Sequence, residues 1–138
     1  MKDIQEFLKN FTDEDIGPIE LKKNTYYFKS QNKIEQATSQ GLPLGTTGKY
    51  FKPSLYLLEI LSKKTTNKIF INDKAEWLFL CGRDVFEESI TQDNSKTDVV
   101  LVQNQKNENI GLGKKTWKGK KMIIKNLIDR GDYLRRER

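Results

Sequence analysis

Residues 68–86, KIFINDKAEWLFLCGRDVF, constrain this chain more than any other stretch. Lys68 to Ile71 combine aromatic and β-branched side chains as a short strand does, and Asn72 with Asp73 stops it. Asp73 reads as a helix N-cap. Glu76 follows three residues later, the spacing of a capping box in which two orphan amides are satisfied reciprocally, so a helix is expected from Lys74. Trp77, Leu78, Phe79, Leu80 and Cys81 make that helix too apolar for a surface, and the expectation is burial in a core, with Cys81 a poor nucleophile there. Gly82 should end the helix and release the chain into Arg83, Asp84, Val85 and Phe86.

The 138 residues suffice for one ordinary domain or two small ones. A single cysteine and no histidine exclude a disulfide framework and a Cys/His zinc site, and they remove the commonest general base. No basic and apolar leader opens the chain, and the longest apolar run, residues 77–81, is far short of the roughly 20 residues of a membrane span. A cytoplasmic protein without membrane contact, metal or cofactor is expected, nucleolar were the source eukaryotic. The net charge of +6 is unevenly spread. Residues 1–67 hold 10 Lys/Arg against 8 acids, whereas residues 114–138 hold 10 against 3. That excess of seven suits a polyanionic partner, although a solvated lysine face is the plain alternative.

Ile4, Phe7, Leu8 and Phe11 fall at the spacing of an amphipathic helix, with Lys2, Asp3, Glu6 and Lys9 on its other side. Residues 19–23 and 25–29 read as a β-hairpin around Asn24. Residues 31–49 have the glycine and proline content of connecting loops, with a brief strand expected at 33–36. Ser54 is a suitable N-cap for a buried helix over 55–63, and residues 65–67 link it to the stretch described first. The expected division is therefore an N-terminal domain over 1–66 and a second over 67–138. In the second, 87–96 reads as a polar loop, 98–103 as a central strand, 109–113 as a glycine-interrupted strand, 114–121 as a basic loop and 122–125 as a returning strand. Residues 126–138 read as a short helix or turn anchored by Ile128, Tyr133 and Leu134. No helix of crossover length separates these strands, which favours a small mixed barrel over a βαβ sheet.

A strand, a small apolar helix and a Gly-Arg-Asp-Val loop resemble the opening of a PUA domain, a small RNA-binding barrel. The segments DVVLVQNQKNENIGLGKKT and MIIKNLIDRGDYLRRER follow in order and resemble the PUA half of the Nip-seven family, ribosome-biogenesis factors of archaea and eukaryotes that act on the large subunit. The ending at 129–135 is the most specific of these matches, and GTTGKYFKPSLYLLEIL resembles the end of that family's N-terminal domain. The size suits an archaeal form. The resemblance implies an α+β protein, with a small N-terminal α/β domain of antiparallel strands followed by a PUA-like mixed β-barrel. It also implies a non-catalytic role in which the PUA half holds RNA, pre-rRNA in that family, while the N-terminal domain holds other ribosome-assembly proteins.

Arg83 stands in the loop that PUA domains turn toward RNA, where a guanidinium can grip a phosphate with two hydrogen bonds; an ion pair with Asp84 is its alternative use. Lys114, Lys115, Lys118, Lys120 and Lys121 offer point charges that follow a backbone without reading bases. Trp117 could stack on an unpaired base or pack in a core. Arg135, Arg136 and Arg138 form the last basic cluster. The segment NIGLGKKT lacks the first glycine of a phosphate-binding P-loop, since Glu108 stands there, and no βαβ series exists to hold a methyl-donor cofactor. An RNA-binding factor is the leading reading. A protein-interaction adaptor in ribosome assembly and an accessory subunit of an RNA-modifying enzyme are its rivals.

Overall fold

The computed structural model describes residues 2–29 and 41–131. The chain divides into two compact units between Lys64 and Thr65. The strand expected at 33–36, the anchors Tyr133 and Leu134, and the cluster Arg135, Arg136 and Arg138 lie outside the described residues.

The first unit opens with helix α1 (Lys2–Leu8), whose Ile4 and Leu8 are buried. Strands β1 (Ile19–Lys22) and β2 (Thr25–Phe28) form the expected hairpin, and β3 (Gly45–Thr46) and β4 (Lys52–Pro53) extend it into a four-stranded antiparallel sheet in chain order. Helix α2 (Leu55–Ser62) begins where Ser54 predicts, because its Oγ accepts the amide of Leu57 at 3.1 Å. Leu57, Leu58 and Leu61 are fully buried, each contributing on the order of 2 kcal/mol by leaving water. Phe7, Phe11, Tyr26 and Phe51 complete this core through ring contacts of 5.1 to 5.9 Å.

The second unit holds β5 (Lys68–Ile71), α3 (Asp73–Leu80), β6 (Val85–Phe86), a 3-10 turn (Glu87–Ser89), β7 (Ile90–Asp93), β8 (Val99–Gln103), β9 (Asn109–Lys118) and β10 (Lys121–Asp129). Its sheet runs β6-β10-β9-β8-β5-β7, antiparallel except for the parallel pair β5 and β8. Strands β6 and β7 are its two edges, yet only the three-residue turn Glu87–Ser89 joins them. Five strand spacings of about 4.8 Å would put those edges roughly 24 Å apart in a flat sheet. A three-residue 3-10 turn advances only about 6 Å, so the sheet must curl on itself as a barrel does. Ile69, Ile71, Ala75, Phe79, Val85, Val100, Val102, Ile110, Met122 and Ile124 fill its inside.

Five expectations are corrected. The N-cap of α3 is Asn72, not Asp73: its side chain accepts the amide of Ala75 at 2.8 Å, which puts Ala75 where a capping box needs a carboxylate. Glu76 instead accepts the side-chain amide of Asn104 at 2.9 Å. The helix is not sunk in the core all round, since Ala75 and Phe79 are buried while Trp77 and Cys81 are exposed. The polar loop at 87–96 contains β7, which pairs with β5 although Ile90 is its one apolar residue. Finally, the basic loop at 114–121 is a β-hairpin. Strands β9 and β10 run to Lys118 and from Lys121, and Asn126 to Asp129 belong to β10, so that the helical backbone expected of this ending begins only at Arg130.

Candidate nucleic-acid interface

The hairpin turn is Gly119 and Lys120, two residues between the paired Lys118 and Lys121. Gly119 has φ +66, the left-handed backbone that a tight hairpin demands at its first central position and that glycine adopts without steric cost. The register then sorts the side chains. Val85, Met122 and Ile124 are in the barrel core, so Phe86, Lys121, Ile123 and Lys125 point to the outer face by strand alternation. Across the hairpin, Lys118 faces Lys121, Thr116 faces Ile123, and Lys114 faces Lys125, while Phe86 on β6 faces Ile123 from the other side. The outer face of β6, β10 and β9 is therefore a row of Phe86, Ile123 and Thr116, flanked by one lysine pair above and one below.

Residues directly opposite have Cβ atoms about 5 Å apart, where like charges repel and destabilise the sheet. Two such pairs stand on this face. Among the described residues the ion pairs are Lys22 with Glu20, Lys64 with Glu14, and Lys115 with Asp93, so none of the four outer lysines is neutralised by one. Lys115 lies on the other face and pairs with Asp93 at 2.8 Å. Burial of Asp93 pushes its carboxyl up, but the Lys115 ammonium and the Ser95 contacts outweigh this and hold it below the usual carboxylate value. This lysine is a strut between β9 and β7. Trp117 is 67% exposed, but it faces Met122 and so lies on the opposite side of the hairpin from Phe86.

The loop carrying Arg83 is rigidly built. Gly82 N–H donates to the Phe79 carbonyl at 2.9 Å and Arg83 N–H to the Leu78 carbonyl at 3.1 Å, the paired bonds of a Schellman ending, and Gly82 has the φ of +92 it requires. Asn126 on β10 holds the loop from below. Its side-chain amide donates to the carbonyls of Phe79 (2.9 Å) and Arg83 (3.3 Å) and to Asp129 (3.2 Å), and its backbone N–H donates to the Asp84 carboxylate at 2.9 Å. The Arg83 side chain is exposed, and no Arg83 ion pair with Asp84 occurs among the described residues.

The structure thus brings Lys114, Lys118 and Lys121 onto one face, places Lys120 at the turn, and puts Lys115 and Trp117 on the opposite side. Sequence reasoning missed Phe86, Ile123 and Lys125, which join the face through pairing between distant segments. A full barrel register, once the hairpin was recognised, is the signal that finds them. Among the described residues no group of three or more Cys, Asp or Glu could hold a metal ion, and no helix is long and apolar enough to cross a membrane.

The UPF0113 PUA domain matches residues 67–138. The chain is 30% identical over 108 residues to a UPF0113 protein of Archaeoglobus fulgidus, covering 71% of this chain and 62% of that protein. It is 35% identical over 102 residues to one of Aeropyrum pernix, covering 71% and 58%. The matches thus span about three-fifths of the length of these curated relatives. Among solved structures, a conserved PUA domain protein from Thermoplasma acidophilum superposes with a TM-score of 0.63 at 22% identity, covering 99% of this chain and 92% of that one. A hypothetical protein from Pyrococcus horikoshii does so with a TM-score of 0.53 at 16% identity, covering 96% and 95%. These likenesses extend the fold over both units, and the expected α+β architecture with a PUA-like barrel is the one observed. By the match over 67–138, this chain belongs to the UPF0113 PUA domain family.

Proposed function

We propose that this protein is a non-catalytic RNA-binding factor whose barrel grips the phosphate backbone, and that it serves assembly of the large ribosomal subunit and processing of its precursor RNA. The observation that carries the reading is the pair of opposed lysine couples, Lys114 with Lys125 and Lys118 with Lys121, on one open sheet face. An isolated fold gains nothing from two self-repelling couples, and departures from local stability rules concentrate at functional sites. A polyanion reverses the sign of that energy, because each phosphate seated between two ammonium groups relieves their repulsion. Membership of a PUA domain family supports RNA as that polyanion, and the Nip-seven resemblance supports the ribosomal setting. Arg83 would add a bidentate phosphate contact at the loop that Asn126 steadies. The first unit would hold other assembly proteins, a role that its exposed Leu21, Leu42 and Tyr50 support.

The test is fluorescence anisotropy on a single-stranded RNA with the wild type and the Lys118→Glu/Lys121→Glu variant. Wild-type binding with a loss of roughly tenfold or more in the variant is expected. An RNA affinity indifferent to both reversals would remove this face from the function. Co-sedimentation with precursor large-subunit particles tests the ribosomal part.

A further inference from the structure

The basic face has a chemical polarity that bears on which RNA it accepts, an inference that rests on the RNA-binding reading above. Its β9 and β10 side carries Lys114, Lys118, Lys121 and Lys125. Its other side is the edge strand β6, where Phe86 is 59% exposed and is bracketed in sequence by the exposed carboxylates of Asp84, Glu87 and Glu88. Crossing the sheet therefore goes from the lysines of β9 and β10 to an edge strand on which an aromatic ring stands between carboxylates that precede and follow it along the chain.

A phenyl ring left in water on an edge strand, backed by half-buried Ile123, offers a flat apolar surface of the kind on which an unpaired base stacks. The lysines beside it can hold the phosphates of the same strand. The carboxylates before and after it along this edge segment repel any phosphate brought to the edge. A single strand satisfies all three zones, with its backbone over β9 and β10 and a base over Phe86. A duplex does not, because its bases are already stacked and paired, and its second backbone would be brought toward Asp84, Glu87 and Glu88.

We propose that this face selects unpaired RNA, with Phe86 as the stacking platform and the acidic edge of β6 as the element that excludes a second strand. Trp117, the aromatic residue the sequence points to, is not on this face and does not share the task.

The experiment measures the affinity of the full chain for a single-stranded RNA and for a duplex of the same sequence at fixed salt. Three variants are compared: Phe86→Ala, Phe86→Trp and Glu87→Gln/Glu88→Gln. The wild type should prefer the single strand. Phe86→Ala should lose roughly 5- to 150-fold on the single strand and little on the duplex. Phe86→Trp should keep or raise single-strand affinity, which separates stacking from any effect of the alanine on folding. Neutralising Glu87 and Glu88 should raise duplex affinity more than single-strand affinity. RNA binding that is equal for the two forms, or unchanged in Phe86→Ala, overturns this inference and leaves the RNA-binding reading standing. A wild type that binds neither form overturns both.

Discussion

Asp3 ties three parts of the first unit together. Its carboxylate accepts the Thr47 hydroxyl at 2.6 Å, the Tyr26 hydroxyl at 2.5 Å and the Ile4 amide at 2.9 Å. The Thr47 and Tyr26 hydroxyls favour the charged form and hold the carboxyl below its ordinary value of 3.8, against a smaller opposing effect of burial. A group whose folded pKa is depressed binds more protons when unfolded. Its stabilisation is therefore complete above the unfolded value and is lost as pH falls through the folded one. Urea midpoints of the first unit, followed by the near-UV circular dichroism of its tyrosines, should fall as the pH drops below about 4. Asp3→Asn should flatten that fall, and an equally steep fall in the variant would show that other carboxylates carry it. Sequence alone placed Asp3 on the solvent side of an amphipathic helix, and its partners lie 23 and 44 residues away. The same limit explains the one-residue slip at α3. Asn72 and Asp73 are both good caps, and the geometry of the strand leaving Ile71 decides between them.

At the scale of elements, the hairpin of β9 and β10 shows where pattern reading stops. The strand at 68–71, the ending at Gly82, the central β8 and the cap at Ser54 were all legible because β-branched runs, glycines and capping side chains act within a few residues. The segment Lys114 to Lys121 has no alternation of apolar with polar side chains, because both faces of this end of the hairpin reach water. It therefore reads as a loop although its backbone pairs fully. The lysine face follows only from that pairing. Its cost to the fold is itself testable. Replacing Lys118 by Glu sets a carboxylate opposite Lys121 and exchanges a repelling couple for an attracting one. A gain of about 0.5 kcal/mol is expected, within the range measured for cross-strand charge pairs. Lys118→Glu should therefore raise the denaturation midpoint while weakening RNA binding. A midpoint that falls would mean that the native couple is not under strain.

At the scale of the whole molecule, charge is segregated along the chain in a way that lets one titration report on one surface. Residues 1–64 hold 10 Lys/Arg and 8 acids, residues 65–113 hold 5 and 8, and residues 114–138 hold 10 and 3. The first unit is thus close to neutral and most of the barrel is acidic, so the positive field belongs to the last 25 residues, within which β9 ends and β10 runs. Counterion release counts phosphates actually neutralised, not net charge. On single-stranded nucleic acid each contributes about −0.7 to the slope of log K against log salt. Four outer lysines then predict a slope of about −2.8, and Arg83 with Lys120 would steepen it toward about −4.2 if both also reach the backbone. Each of Lys114→Ala, Lys118→Ala, Lys121→Ala and Lys125→Ala should lower the magnitude by about 0.7, whereas Lys115→Ala should leave it unchanged, because that ammonium is held by Asp93 on the opposite face. Equal effects from all five substitutions would mean that diffuse positive charge, rather than this sheet face, holds the RNA.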